Sequence, residues 1–214
     1  MNKLCIYGCG GLGREIADLA NAIGSWSELI FINDYVNDRI VNNIPVFTFR
    51  EVLNDFSNEE YGFVVAIGEP LFREKIYDKL TKNHCKLTKI IAPAVNISKY
   101  SEIQKGTIIH VGATITCNVI IRTGCYINKH VVIGHDVDVG NYTVISPNAT
   151  IGGNVKIGAG VYIGSGAIIR EGLTIGDNAI IGMGAVVLRD VPESDVVVGN
   201  PAKKLRENTS RKVF

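Results

Sequence analysis

What this sequence lacks sets aside several large classes of protein. Its five cysteines (Cys5, Cys9, Cys85, Cys117 and Cys125) show neither a CxxC nor a CxxxH spacing. They read as reduced thiols, so neither a disulfide framework nor a zinc site is expected, and no metal is assigned. Excess charge is missing too. The formal net charge is +1 over 214 residues, which gives no basic field for nucleic acid or an anionic membrane surface. No signal peptide opens the chain and no apolar run is long enough to cross a bilayer. The expectation is a cytoplasmic protein without membrane insertion.

The second half shows neither the helical period of 3.6 nor the simple strand alternation of two. Instead, a β-branched apolar residue recurs at every sixth position from Ile91 to Val187 without a slip, as in Ile109, Ile115, Ile121, Ile127 and Ile133. Four residues after most of them stands a small or apolar partner, such as Ala113, Val119, Cys125 and Val131. This is the pattern of hexapeptide repeats wound as a parallel β-helix, three repeats to a coil. Ile and Val suit an inward column because their stiff χ1 packs well on a pleated surface. Each buried Ile then contributes roughly 1.5–3 kcal/mol. The glycines that follow the column residues (Gly134, Gly140, Gly152, Gly158, Gly164, Gly176, Gly182) are expected at tight corners.

The first half reads differently. Lys3 to Tyr7 make a short buried strand, followed by Gly8-Cys9-Gly10-Gly11-Leu12-Gly13 and then by Ile16, Leu19, Ala20 and Ile23 at helical spacing. Strand, glycine-rich turn and helix together make a phosphate cradle, because the helix start offers free N–H groups and a positive dipole end. A second strand from Leu29 to Asn33 ends on Asp34, placed to take a ribose hydroxyl. The alternative is a plain packing turn with Asp34 as a loop acid. Thr48 and Glu51 form a capping box, and a third strand, Phe63 to Ile67, leads through Gly68 into a helix with Phe72, Ile76 and Leu80 on one face. The chain has no room for the second half of a dinucleotide fold. A nucleoside diphosphate carrying a sugar fits the smaller site better.

Residues eighteen apart lie over one another on adjacent coils, and this rule locates a candidate site. His135 and Asp136 fall between inward positions and should face outward, with Gly153 over His135 on the next coil. A histidine beside a position without a side chain leaves room for substrate and exposes a backbone N–H. Imidazole suits proton removal from an attacking amine or hydroxyl near pH 7, Asp136 would fix its tautomer, and the Gly153 N–H would hold an oxyanion. Other assignments stay open: His135 as an exposed histidine with no task, His110 or His130 in its place, and Cys117, one coil below, as a nucleophile. A metal held by His130 and His135 lacks a third ligand at workable spacing.

These residues resemble the hexapeptide-repeat acyltransferases with a small N-terminal nucleotide-sugar domain, a group that includes sialic acid O-acetyltransferases and N-acetyltransferases of nucleotide-linked 4-amino-4,6-dideoxy sugars. The likeness runs over nearly the whole chain: the Gly8–Gly13 turn, Ala66-Ile67-Gly68 with Arg73, His135-Asp136, Gly152 to Gly158, and Val198-Gly199-Asn200-Pro201-Ala202-Lys203. It implies an α/β half-Rossmann domain over residues 1–90, a left-handed parallel β-helix over 91–198 and a C-terminal capping tail over 199–214. It further implies a homotrimer, with acetyl-CoA as co-substrate between subunits along Gly153, Gly164, Gly182, Gly199, Pro201 and Lys203. His135 would be the base, Asp136 its orienter and Gly153 the oxyanion donor. The nucleotide sugar would meet Gly8, Gly10, Gly11, Gly13, Asp34, Gly68, Arg73 and Asn128. Three positions depart from the family: Asp136 where Glu is common, Val144 where many members carry a second histidine, and Asn33-Asp34 for a common acidic pair.

The resulting expectation is an acetyl-CoA-dependent N-acetyltransferase acting on the C4 amine of a UDP- or dTDP-linked 4-amino-4,6-dideoxyhexose for surface-glycan synthesis. Two alternatives accompany it: an O-acetyltransferase of the sialic acid type, and a non-catalytic trimeric scaffold that binds sugar nucleotides.

Overall fold

The computed structural model describes residues 3–35, 38–55 and 60–213. It opens with an α/β domain: β1 (Lys3–Tyr7), α1 (Gly11–Ile23), β2 (Glu28–Ile32), β3 (Ile40–Val41), β4 (Ile44–Phe47), α2 (Phe49–Asp55), β5 (Tyr61–Val65) and α3 (Pro70–Lys82). The sheet order is β3-β4-β2-β1-β5, parallel except for the β3–β4 hairpin. That hairpin turns on Asn42 and Asn43, both at positive φ (48° and 62°), the conformation a two-residue turn between twisted strands requires. The capping box forms: the Thr48 N–H donates to Glu51 Oε2 at 2.7 Å, and the Glu51 N–H to Thr48 Oγ1 at 3.3 Å.

From Ile90 the chain winds through two-residue strands, β6 (Ile90–Ile91) to β22 (Val186–Val187), stacked in three parallel walls. Together with the hexapeptide pattern this is a left-handed parallel β-helix. The first wall carries the pairs beginning at Ile90, Ile108, Tyr126, Val144, Tyr162 and Ile180. The second carries those at Asn96, Thr114, Val132, Thr150, Ile168 and Val186, and the third those at Glu102, Ile120, Asp138, Lys156 and Thr174. The six-residue column is buried from Ile109 to Val187 and forms one continuous core. The chain then leaves through β23 (Asp195–Val198), which extends the first wall, and returns antiparallel as β24 (Lys203–Glu207).

The glycines one place after the column residues do not make the corners. Their role is close approach between coils: a Cβ on Gly134 would stand 2.6 Å from the backbone nitrogen of Gly153. The corners turn three places after the column instead, where Gly112, Asn118, Gly124, His130, Asp136 and Tyr142 all have φ between 57° and 75°.

The α/β domain lies on the first wall, where Ile108, Tyr126 and Val144 join a core with Leu4, Ile6 and Ile16. Helix α3 is wedged between its own sheet and the corner joining the third and first walls. Its buried face is therefore Arg73, Tyr77 and Leu80, while Phe72 stays exposed. The tail adds a second tie, through Arg211 on Glu74 at 2.8 Å and the Val213 N–H on Glu69 Oε2 at 2.9 Å.

Candidate active site

His135 and Asp136 stand on the corner between the second and third walls, and both are exposed. Asp136 occupies a corner position with φ of 59°, and this left-handed turn folds its carboxylate back on the preceding side chain. Asp136 Oδ2 lies 2.8 Å from His135 Nδ1. A carboxylate only accepts, so the proton sits on Nδ1 and Nε2 is left with its lone pair free. The other oxygen accepts from Asn118 Nδ2 at 3.0 Å. The hydrogen bonds from Asn118 and then His135 hold the Asp136 carboxyl below its ordinary range. Asn118 is eighteen residues before Asp136, so the stacking rule pointed to it and sequence reasoning missed it.

Gly153 lies beside His135 as the register requires, but the space it leaves is not open for substrate. The imidazole itself occupies it: a Cβ on Gly153 would stand 2.6 Å from Nε2. The glycine lets the ring lie flat on the next coil, and the Gly153 N–H beside it donates to no acceptor among the described residues.

A cavity of about 800 Å³ opens at the carboxyl ends of β1, β2 and β5. Of the expected nucleotide-sugar residues, Gly8, Gly10, Gly11 and Asp34 line it. Gly10 and Gly11 meet nothing around the missing Cβ, whereas Gly13 packs beneath the turn, where a side chain would strike the Gly8 carbonyl. The first-turn N–H groups of α1 thus point into the cavity with the positive end of the helix. Asp34 is already engaged. Oδ2 accepts from Tyr7 at 2.5 Å and Lys79 at 2.8 Å, and Oδ1 from the Phe49 N–H at 2.7 Å. Burial would raise the Asp34 pKa, but these three hydrogen bonds outweigh it and lower it. Lys75 and Lys79 add two cations to the cavity wall. Neither was anticipated, because only the fold brings α3 to the end of β1.

Of the remaining expected substrate contacts, one is corrected, Arg73, and two lie outside this cavity, Gly68 and Asn128. Arg73 is fully buried and does not line this cavity. Its guanidinium donates to the carbonyls of Val65, Ile67 and Gly124 and joins the two domains. Gly68 sits just outside the cavity wall, which its neighbours Ala66 and Ile67 provide. Asn128 is half-buried on the corner between the first and second walls, and its Oδ1 accepts the Lys129 N–H at 2.8 Å. Gly164 and Gly182 continue that corner upward from Asn128. Gly199 and Pro201 make the turn into β24, with a cis Asn200–Pro201 peptide, and Lys203 is exposed on that strand. Among the described residues no group of three or more His, Cys, Asp or Glu could hold a metal.

Residues 3–80 match the family model of the PglD N-terminal domain, and residues 154–189 that of the bacterial transferase hexapeptide (six repeats). The acetyltransferase domain of PglB from Neisseria gonorrhoeae FA1090 is 32% identical over 96% of this chain and 100% of that one, with a TM-score of 0.91. It has also been solved in complex with acetyl coenzyme A. WeeI from Acinetobacter baumannii AYE is 30% identical over 96% and 100% of the two chains, with a TM-score of 0.90. A histidine-to-asparagine mutant of perosamine N-acetyltransferase from Caulobacter crescentus, in complex with CoA and GDP-perosamine, is 26% identical over 97% and 98%, with a TM-score of 0.89. The chain belongs to the acetyl-CoA-dependent sugar N-acetyltransferases of the hexapeptide-repeat class. A sugar N-acetyltransferase of this class needs a nucleotide site, a thioester site and a base. The 800 Å³ cavity lies in the α/β domain that packs on the first wall, and the His135–Asp136–Gly153 group lies on the opposite corner of the prism.

Proposed function

We propose that this protein transfers the acetyl group of acetyl-CoA to the C4 amine of a nucleotide-linked 4-amino-4,6-dideoxyhexose, with UDP or dTDP as the nucleotide, in a pathway of surface-glycan synthesis. The observation that carries the reading is the oriented base: His135 Nε2, its tautomer fixed by Asp136, lying on the coil that presents the unpaired Gly153 N–H. The neutral amine attacks the thioester carbonyl carbon and a C–N bond forms. The Gly153 N–H stabilises the oxygen as it becomes negative. His135 takes the amine proton, the C–S bond breaks, and the proton passes to the departing thiolate.

The placement of the two sites also supports a trimer. Nucleotide cavity and base are on opposite sides of one prism, so a single copy does not bring them together. Exposed apolar side chains on the coils gather on the second wall and its two flanking corners: Tyr100, Val111, Val132, Ile168, Met183 and Leu188. Three copies that turn this wall inward bury those side chains. The His135 corner of one copy then meets the Asn128–Gly164–Gly182 corner of the next, and acetyl-CoA lies in the groove between them.

The test is thiol release from acetyl-CoA with a panel of UDP-, dTDP- and GDP-linked 4-amino sugars, followed by mass spectrometry of the product. A base-stable amide with one member of the panel supports the reading. An ester on a hydroxyl sugar, or no thiol release with any acceptor, refutes it.

A further inference from the structure

A second cavity, of about 420 Å³, lies in the seam between α1 and the corner joining the first and second walls. Its lining is apolar at Leu19, Ala22, Ala92, Pro93 and Val111 and acidic at Asp18, and Glu15 on α1 and Lys129 on the coils join across it as an ion pair at 3.0 Å. His110 lines it and is only 7% exposed. The Val111 N–H donates to His110 Nδ1 at 2.9 Å, so Nδ1 is the acceptor and the proton sits on Nε2. That Nε2–H is buried and has no partner among the described residues. A buried donor without an acceptor is costly and rare in folded proteins.

We propose that this seam cavity seats the hexose ring of the acceptor, with His110 Nε2–H donating to a ring hydroxyl or ether oxygen and setting sugar specificity. The proposal rests on the function proposed above. Leu12 lines the nucleotide cavity, and Glu15 and Leu19 line the seam cavity. These three share one face of α1, and the rise from Leu12 to Glu15 is about 4.5 Å, close to the span of one sugar ring. A diphosphate at the helix start therefore delivers its sugar to Glu15. The apolar part of the lining accepts the 6-methyl group of a 6-deoxy sugar, and the Glu15–Lys129 pair offers an acceptor and a donor to its hydroxyls. In the trimer described above, this same corner faces the neighbour's His135, where the amine has to arrive.

The experiment is equilibrium titration, without acetyl-CoA, of wild type, His110→Leu and Lys129→Met with free UDP, dTDP and GDP and with their 4-amino-4,6-dideoxyhexose conjugates. The subsite predicts that each variant loses about tenfold in affinity for the conjugate that wild type uses, the equivalent of one good hydrogen bond. Affinity for the bare diphosphate stays unchanged. His110→Leu removes the unpartnered donor but also the acceptor of the Val111 N–H, so its melting temperature should stay within a few degrees of wild type. Lys129→Met carries the test on the surface if His110→Leu misfolds. Equal losses for conjugate and diphosphate, or unaltered conjugate affinity in both variants, overturn the subsite while wild-type thiol release upholds the reaction. Absence of wild-type thiol release with every conjugate overturns both.

Discussion

Asp136 reaches back to His135 because the coil turns left-handed at that residue, with φ of 59° and an Oδ2–Nδ1 separation of 2.8 Å. Neighbours along an extended strand point apart, so this contact exists only because Asp136 is a corner residue. His135→Ala should lower kcat by about 10²–10⁴-fold while leaving the melting temperature unchanged, since the side chain is exposed. Asp136→Ala should lower kcat by less, with the KM for the nucleotide sugar held. Near-normal turnover of His135→Ala would remove it as the base.

Gly153 matters twice, through its N–H and through the bulk it lacks. Gly153→Ala keeps the N–H but sets a methyl 2.6 Å from His135 Nε2, so the ring has to swing away. A base displaced by about 1 Å loses about 10²-fold in kcat. The KM for acetyl-CoA and the helix fold, followed by circular dichroism, should stay near wild type. Retained turnover would show that the ring does not work from this pose.

Arg73 separates what the sequence could carry from what it could not. The column from Ile109 to Val187 was legible because a period of six has one packing solution, and the same periodicity placed His135 over Gly153. Asn118 was legible by that rule as well. The partners of Arg73 were not: its acceptors Val65, Ile67 and Gly124 meet only after α3 docks on the coils. Docking also decides that Phe72 faces the cavity mouth and that Lys79 reaches Asp34. Within the repeats, the places of strain and of close approach traded roles. The glycine after each column residue is the one whose backbone crowds the next coil.

Arg73→Met should therefore destabilise the protein without touching its chemistry. It leaves buried carbonyls, Gly124 among them, without their donor, at a cost of about 3 kcal/mol. For a chain of this size that lowers the melting temperature by roughly 10 °C, while kcat/KM measured below the transition is unchanged. A selective rise in KM for the nucleotide sugar at full stability would return Arg73 to the substrate site.

Two carboxylates tie stability to pH. Glu51 is held at about 2, first by its hydrogen bond from Arg39 and then by those from Thr48. Asp34 is also lowered, by Lys79, Tyr7 and the Phe49 N–H acting against burial. Both pKa values are depressed in the folded state, so the stability they add is present above the unfolded carboxylate range. It is lost as pH falls from about 4.5 towards 2. Asp34→Asn should melt lower than wild type at pH 7 and lose less on acidification. Parallel melting-temperature curves for the two proteins would show that Asp34 is not part of the acid response.

Sharing of one site between two copies is tested by mixing two dead proteins. His135→Ala removes the base. Gly11→Asp places a carboxylate at the start of α1, where nothing lies within 4 Å of the new Cβ. There it suits the helix dipole but repels a diphosphate. If base and nucleotide cavity come from different copies, random trimers of the two variants restore one working site in each mixed assembly, about a quarter of all sites. Co-expressed and purified together, the pair should recover activity that neither shows alone. Mixed trimers as inactive as either parent would mean that each copy uses its own His135, which the placement of the two sites on opposite sides of the prism argues against.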